Sequence, residues 1–210
     1  MNAIAKQVAE KLLQIKAIKL EPTNHFVWAS GWNSPIYCDN RKALSYPDVR
    51  DFVRDSFIEV IKENFGEYDV IAGVATGAIA QGALVADKLH KPFVYVRSQA
   101  KDHGLGNLIE GDLPEGSKVL VIEDLISTGG SSLNAVKALR EAKCEVVGMA
   151  AIFTYGFQKS VDAFKDANVK LVTLSNYNVL VEQAKEIGYI SESDIEVLKQ
   201  WRTSPDTWKK

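Results

Sequence analysis

The amino-acid sequence predicts an α/β fold in which a mostly parallel sheet is flanked by helices. From residue 69 onwards, short apolar runs alternate with stretches of helical periodicity, as they do in consecutive βαβ units. The runs are apolar at successive positions, which is typical of strands that helices cover on both faces. The length of 210 residues fits one domain, 1–210.

Two amphipathic helices are predicted before the first strand of this series. Apolar residues recur at three- and four-residue spacing from Ile4 to Ile15, with charged residues between them. The same periodicity returns over 46–64. Pro47 lies near the start of that stretch, where its missing N–H leaves no helical hydrogen bond unmade.

Strands and helices are then expected to alternate along the chain. The strands are predicted at 69–75, 92–97, 118–123, 145–153 and 170–174. The helices are predicted to end near Leu89, to span 131–143 and to lie near 157–167.

Two further stretches complete the predicted organisation. A last helix is expected from Ser191, which together with Asp194 resembles a capping box. The stretch 98–117 has no periodicity and holds four glycines. A loop of this length in a compact domain is usually functional or mobile.

The composition argues against several classes of protein. The 25 Lys and Arg residues against 27 Asp and Glu give a net charge of -2, which disfavours a nucleic-acid binder with a basic surface. The apolar runs are too short to span a bilayer, and the first residues contain no signal-peptide core. The only two cysteines, Cys38 and Cys144, provide no metal-ligand spacing. We therefore expect a cytoplasmic protein.

The most informative motif is VLVIEDLISTGGSS at 119–132. A predicted strand leads into Glu123 and Asp124, and a glycine-containing loop then enters a helix. Free N–H groups at the helix start favour phosphate, and the hydroxyls of Thr128, Ser131 and Ser132 can hydrogen-bond its oxygens. Carboxylates repel phosphate, so the two acids suit ribose hydroxyls or a Mg²⁺ held through water and substrate oxygens.

This motif resembles the phosphoribosyl-pyrophosphate (PRPP) signature of the type I phosphoribosyltransferases. That signature has four apolar residues, two acids, two apolar residues and a loop of small residues, and the sequence fits it without a gap. The resemblance implies a mostly parallel sheet with a small N-terminal hood. It also implies that PRPP is bound by Glu123, Asp124, Leu125, Ile126, Ser127, Thr128, Gly129, Gly130 and Ser131.

A second motif, AKDHG, lies in the long loop after the strand predicted at 92–97. It resembles the catalytic loop of the orotate phosphoribosyltransferases. By that resemblance, Arg97, Lys101 and His103 contact the pyrophosphate of PRPP. The 98–112 loop would be shared across the interface of a homodimer.

The hood of the same family is matched by the SG and SP pairs within 25–41. The resemblance implies a hood formed by about 1–45 and the C-terminal segment. Tyr37 and Cys38 would then lie against orotate, and Arg41 would be the partner of its carboxylate. Ser127 would also lie near orotate. The catalytic residues implied by the whole resemblance are Lys101, His103, Glu123 and Asp124.

The reaction implied by this resemblance is transfer of ribose 5-phosphate from PRPP to orotate, a step of pyrimidine biosynthesis. Mg²⁺ would be held through PRPP, with no direct metal ligand from the protein. Many members carry lysines where this chain has Ala29, Gly77 and Ser98, so backbone N–H groups would hold more of the pyrophosphate. A purine-base phosphoribosyltransferase and a non-catalytic PRPP-sensing regulator remain open as alternatives.

Overall fold

The computed structural model of the protein describes residues 3–98 and 108–209. Lys101 and His103, two of the expected catalytic residues, therefore lie outside the described residues. The chain divides into two compact units. We call Arg50–Leu174 the central unit, and Met1–Val49 with Ser175–Lys210 the terminal unit.

The described residues form seven α-helices and ten strands. The helices are α1 (Ala3–Gln14), α2 (Pro47–Asn64), α3 (Ile79–Leu89), α4 (Gly130–Glu141), α5 (Gln158–Asp166), α6 (Tyr177–Glu186) and α7 (Glu192–Thr203). The first four strands are β1 (Ile18–Leu20), β2 (Phe26–Val27), β3 (Asn33–Ser34) and β4 (Ile36–Cys38). The others are β5 (Val70–Val74), β6 (Phe93–Val96), β7 (Ile109–Glu110), β8 (Lys118–Ile126), β9 (Glu145–Thr154) and β10 (Leu171–Asn176).

The main sheet has six strands in the order β10-β9-β8-β5-β6-β7. Strand β5 pairs in parallel with β6 and with β8, and β8 pairs in parallel with β9. The short strand β7 runs antiparallel to β6 at the edge. The predicted α/β class with a mostly parallel sheet is confirmed.

Close packing of α3 on the sheet depends on two glycines. A Cβ at Gly82 would lie 2.8 Å from the Phe93 ring, and one at Gly73 would lie 2.9 Å from the carbonyl oxygen of Ala78. Every residue of β5 is buried, as the uninterrupted apolar run predicts for a central parallel strand. Because β5 pairs in parallel with β8, the carboxyl ends of these two strands lie side by side. Ligands bind at this edge in such sheets.

Strand β8 is longer than the sequence predicts. It was expected to end at Glu123, but its pairing with β9 continues through Ile126, which lies opposite Thr154. Asp124, Leu125 and Ile126 therefore belong to the strand as well. The reason is tertiary, because β9 extends equally far and supplies the hydrogen-bond partners.

The terminal unit joins the two ends of the chain. Helix α1 packs against α6, and Ser175 Oγ donates to the carbonyl oxygen of Ala5 at 2.8 Å. Strands β1 and β4 pair antiparallel, as do β2 and β3. Neither these short strands nor α6 is predicted by the sequence patterns described above. The capping box is confirmed, because Asp194 Oδ2 accepts from the backbone N–H of Ser191 at 2.8 Å.

Candidate active site

The β8–α4 turn places a glycine at the start of a helix. Gly129 is the N-cap of α4 and has φ +85°, a left-handed conformation that favours glycine. A Cβ there would also lie 3.0 Å from the Phe164 ring. Since Gly129 has no side chain with which to cap the helix, the first N–H groups of α4 remain suited to an anion. Ser127 and Thr128 are half-buried beside this turn, and Ser131 is exposed.

Glu123 is buried among hydrogen-bond donors. Only 4% of the residue is exposed, its Oε1 accepts from the backbone N–H of Asp124 at 2.9 Å, and its Oε2 accepts from Ser132 Oγ at 2.7 Å. Burial, and then the adjacent Asp124 carboxylate, raise the pKa of Glu123 to about 8. Burial therefore favours the protonated form of Glu123 at neutral pH.

The hydroxyl of Ser132 has a different partner from the one expected. The sequence places it among groups able to bind phosphate, but Ser132 is 1% exposed and donates its proton to Glu123. A serine hydroxyl has a single proton to donate. Ser132 therefore orients the Glu123 carboxyl group through this hydrogen bond.

Asp124 is half-buried and faces the loop that follows β5. A Cβ built at Gly77 in that loop would lie 2.2 Å from Asp124 Oδ2. The loop also contains a cis peptide bond between Ala75 and Thr76. Asp124 and Gly77 thus meet at the carboxyl edge of the sheet, as the parallel pairing of β5 and β8 requires.

Arg97 lies directly after β6. Its backbone N–H donates to the carbonyl oxygen of Leu108 at 2.8 Å, and its Nη1 lies 3.4 Å from Glu110 Oε1. The Arg97 side chain is one third exposed. Such partly exposed ion pairs contribute about 0–1 kcal/mol, so the guanidinium can exchange this partner for a polyanion at small cost.

The residues expected to bind orotate, apart from Ser127, belong to the terminal unit. Tyr37 is 40% exposed, and its ring centroid lies 5.6 Å from that of Phe26. The Cys38 thiol donates to Asn40 Oδ1 at 3.3 Å.

Arg41 also belongs to the terminal unit and pairs with an acid. Its Nε donates to Asp39 Oδ1 at 2.7 Å, and this hydrogen bond lowers the pKa of Asp39. More than half of the Arg41 side chain is exposed.

Two contacts of this site lie beyond sequence reasoning. Ser132 and Glu123 belong to the same 119–132 motif, but the motif does not predict that their side chains pair. Gly77 and Asp124 are related by no local motif. The only local signal at Gly77 is a glycine in a loop after a strand. Among residues 3–98 and 108–209, no three His, Cys, Asp or Glu side chains form a group able to hold a metal ion. No helix in those ranges is long and apolar enough to cross a membrane.

Comparison with known proteins identifies the family. The phosphoribosyl transferase domain family matches residues 45–185. An orotate phosphoribosyltransferase of Phocaeicola vulgatus is 61% identical over 209 residues, which cover 100% of this chain and 99% of that protein. The chain belongs to the orotate phosphoribosyltransferase family.

Other members of the orotate phosphoribosyltransferase family agree in sequence and in fold. The Listeria innocua enzyme is 57% identical over 99% of this chain and 100% of its own length. The crystal structure of orotate phosphoribosyltransferase from Aeropyrum pernix superposes with a TM-score of 0.76 at 27% identity. The superposition covers 88% of this chain and 99% of the Aeropyrum pernix chain. The type I phosphoribosyltransferase fold expected from the sequence is thereby confirmed.

Proposed function

We propose that the protein transfers ribose 5-phosphate from PRPP to orotate, giving orotidine 5'-monophosphate and pyrophosphate in pyrimidine biosynthesis. The observation that carries this proposal is 61% identity to an orotate phosphoribosyltransferase along the whole chain. The β8–α4 turn supports it, because the turn joins an acid pair to the uncapped start of a helix.

The 5'-phosphate of PRPP is assigned to the turn formed by Ser127–Ser131. The N–H groups at the start of α4 favour negative charge, and the helix dipole adds to their effect. The side chains of Ser127, Thr128 and Ser131 add hydroxyl donors. Gly129 and Gly130 leave room for the phosphate to approach the backbone.

The ribose is assigned to Asp124, with Glu123 behind it. Positive charge develops on the ribose as its bond to pyrophosphate breaks, and a fixed carboxylate stabilises that charge. Because burial favours the protonated form of Glu123, that residue exerts less repulsion on the Asp124 carboxylate. Arg97 supplies positive charge towards the pyrophosphate. Lys101 and His103, outside the described residues, remain predicted to do the same.

Magnesium is part of this proposal. The acid pair fits a Mg²⁺ held mainly by PRPP and water, because both oxygens of Glu123 already accept hydrogen bonds from the protein. A Mg²⁺ bound in this way would supply positive charge to the departing pyrophosphate. The protein's own part is to orient the ribose through Asp124 and the phosphate through the α4 turn.

Orotate recognition by Ser127, Tyr37, Cys38 and Arg41 stays a prediction from the resemblance. The exposed Tyr37 ring and the exposed Arg41 guanidinium have the chemistry that an aromatic carboxylate needs. A cytoplasmic location belongs to the same proposal.

The reaction is tested by following orotate through its ultraviolet absorbance, with PRPP and Mg²⁺ present and then each omitted. The proposal expects loss of orotate only when both are present. If orotate is not consumed while calorimetry still detects PRPP binding, orotate is not the acceptor. Adenine and guanine are then the acceptors to test next.

A homodimer that shares the 98–112 loop is proposed from the resemblance alone. Lys101→Ala removes the loop cation, and Asp124→Asn removes the ribose carboxylate, so each variant alone should have low turnover. After subunit exchange, equal amounts should recover about a quarter of the wild-type sites, because half the dimers then hold one intact site. Absence of recovery after confirmed exchange would contradict loop sharing.

A further inference from the structure

The start of the β8–α4 turn is tied to the end of β9. The turn begins at Ser127, directly after Ile126, the last residue of β8. The carbonyl oxygen of Ile126 accepts from the backbone N–H of Tyr155 at 3.1 Å and from Thr154 Oγ1 at 3.3 Å. The peptide plane that contains this oxygen also contains the Ser127 nitrogen, so holding the oxygen restricts how the chain enters the turn.

The Thr154 hydroxyl has a second partner in the connection that follows β9. It accepts from the backbone N–H of Gly156 at 2.9 Å, while its single proton goes to the Ile126 carbonyl oxygen. Gly156 has φ +62°, so the chain bends here in a conformation that favours glycine. The hydroxyl therefore links this bend to the start of the β8–α4 turn.

The far end of the turn contacts the same stretch of chain. A Cβ built at Gly129 would lie 3.0 Å from the Phe164 ring and 3.8 Å from Ser160 Cβ. Both of these residues are buried and belong to α5, which begins shortly after the bend. The β8–α4 turn is thus held at its start by Thr154 and near its end by α5.

The backbone ladder of the sheet does not include the Thr154 hydroxyl. Strands β8 and β9 pair in parallel along their length, and the Tyr155 N–H adds one more backbone bond to Ile126. A valine at position 154 would keep the shape of the side chain and this pairing, and it would lose the two hydrogen bonds of the hydroxyl. The expected consequence is local, because the bend and the turn would then be able to shift relative to each other.

We propose that Thr154 is a positioning residue for PRPP binding: its hydroxyl holds the start of the β8–α4 turn in the orientation that the 5'-phosphate requires. Binding groups must be held within about 0.5 Å of their productive geometry, so a small shift of Ser127 and Thr128 lowers affinity. In this role Thr154 acts through Ile126. The PRPP readout rests on the proposed function.

The test compares Thr154→Val with Thr154→Ser. PRPP affinity is measured by calorimetry with Mg²⁺, and kcat and KM by orotate consumption. Thr154→Val should lose about tenfold in PRPP affinity, the upper end of the value of one neutral hydrogen bond, and its KM for PRPP should change more than its kcat. Thr154→Ser keeps the hydroxyl and should stay within about threefold of wild type.

The matched control is Ser175→Ala in the terminal unit. Ser175 Oγ also donates to a backbone carbonyl oxygen, that of Ala5, and Ser175 is fully buried. Its loss should lower Tm at least as much as Thr154→Val does and leave PRPP affinity unchanged. An equal loss of PRPP affinity in this control would assign the effect to stability and overturn the proposal.

Two further outcomes would contradict the role of the hydroxyl. Wild-type PRPP affinity in Thr154→Val would show that the turn does not depend on it. Equal losses in Thr154→Val and Thr154→Ser would show that the hydroxyl is not the cause.

A structural readout does not depend on PRPP. In crystal structures superposed on β8 and β9, the 127–129 backbone should be displaced in Thr154→Val and unmoved in Thr154→Ser. An unmoved turn in the valine variant would refute the proposal. If that variant does not fold, Thr154→Ala replaces it with the same expected results. If the wild type does not bind PRPP, the proposed function fails, and this structural comparison still tests the role of Thr154.

Discussion

The central and terminal units differ in how far apart in the sequence their contacting residues lie. In the central unit, Glu123, Asp124, the β8–α4 turn and Ser132 come from one continuous segment. In the terminal unit, the hairpin of β2 and β3 is held by the far end of the chain. Trp201 Nε1 donates to the carbonyl oxygen of Asn33 at 3.2 Å, and Asn33 Nδ2 donates to that of Lys209 at 2.7 Å.

This difference shows why the local elements of the central unit can be predicted from the sequence, whereas the long-range contacts of the terminal unit cannot. A strand, a glycine run and a helix start are local patterns, so their chemistry can be recognised before the fold is known. The contacts of Trp201 with Trp28, at 5.7 Å between ring centroids, join distant segments and follow no local period. Changes in the central unit should therefore act on chemistry, and changes at the C-terminus should act on stability and orotate binding.

The largest expected effect is loss of the Trp201 side chain. Trp201 is fully buried and lies against the rings of Trp28 and Tyr177. Trp201→Ala should lower the free energy of unfolding by about 3–5 kcal/mol, the usual range for deleting a buried aromatic ring. Denaturant unfolding measures it, with Trp201→Phe as the milder control. A loss below about 1 kcal/mol would show that the two chain ends do not depend on this ring.

The next effect is a pH dependence from the central unit. Because the pKa of Glu123 is about 8 in the folded protein, against an ordinary glutamate value of 4.5, the folded state keeps a proton that the unfolded state loses. Stability should therefore fall as pH rises from about 5 to about 8 and then level off. Glu123→Gln should remove most of this fall, because the amide does not titrate.

Unfolding of the protein without ligand, followed across this pH range, measures the contribution of Glu123. Glu145→Gln, at an exposed position at the start of β9, is the control and should leave the slope unchanged. If Glu123→Gln has the wild-type slope, Glu123 does not titrate in this range. By contrast, Trp201→Phe in the terminal unit should keep the wild-type slope.

A smaller effect is expected from shortening the C-terminus. A chain ending at Thr203 lacks Trp208, which packs edge-on against His25 at 5.5 Å, and it loses the Asn33 contact with Lys209. Unfolding free energy should fall by about 2 kcal/mol, the value of one large buried side chain. The KM for orotate should rise while that for PRPP stays constant. A chain ending at Lys209 is the control, and equal changes in both KM values would contradict the comparison.

The smallest effect concerns the start of α7. Asp194 Oδ2 accepts from both the backbone N–H and the Oγ of Ser191, and these bonds lower the pKa of Asp194. Ser191→Ala should lower unfolding free energy by about 1 kcal/mol, the usual value of an N-cap. Thermal unfolding detects this change, and Ser191→Asn should restore part of it. Full stability in Ser191→Ala would mean that Asp194 alone suffices.

The sequence predicts the central unit well because its signals are local. Three elements lie within a few residues of their expected positions: strand β5, strand β8 and helix α4. The end of β8 is wrong by three residues, because pairing with β9 extends the strand to Ile126. Helix α6 is missed, although Asn176 caps it by accepting from the Val179 N–H at 3.1 Å.

By itself, the sequence determined the fold class, the family and the segment that contains the β8–α4 turn. Hydrophobic periodicity and the 119–132 motif each depend only on residues that are close together in the sequence. Tertiary structure decided which groups those residues touch. It buried Glu123 on Ser132, set the carboxylate of Asp124 against Gly77 and fastened Asn33 to the C-terminus. The last two contacts arise when separate segments pack together, and packing depends on shape and burial across the whole fold, which no local pattern encodes.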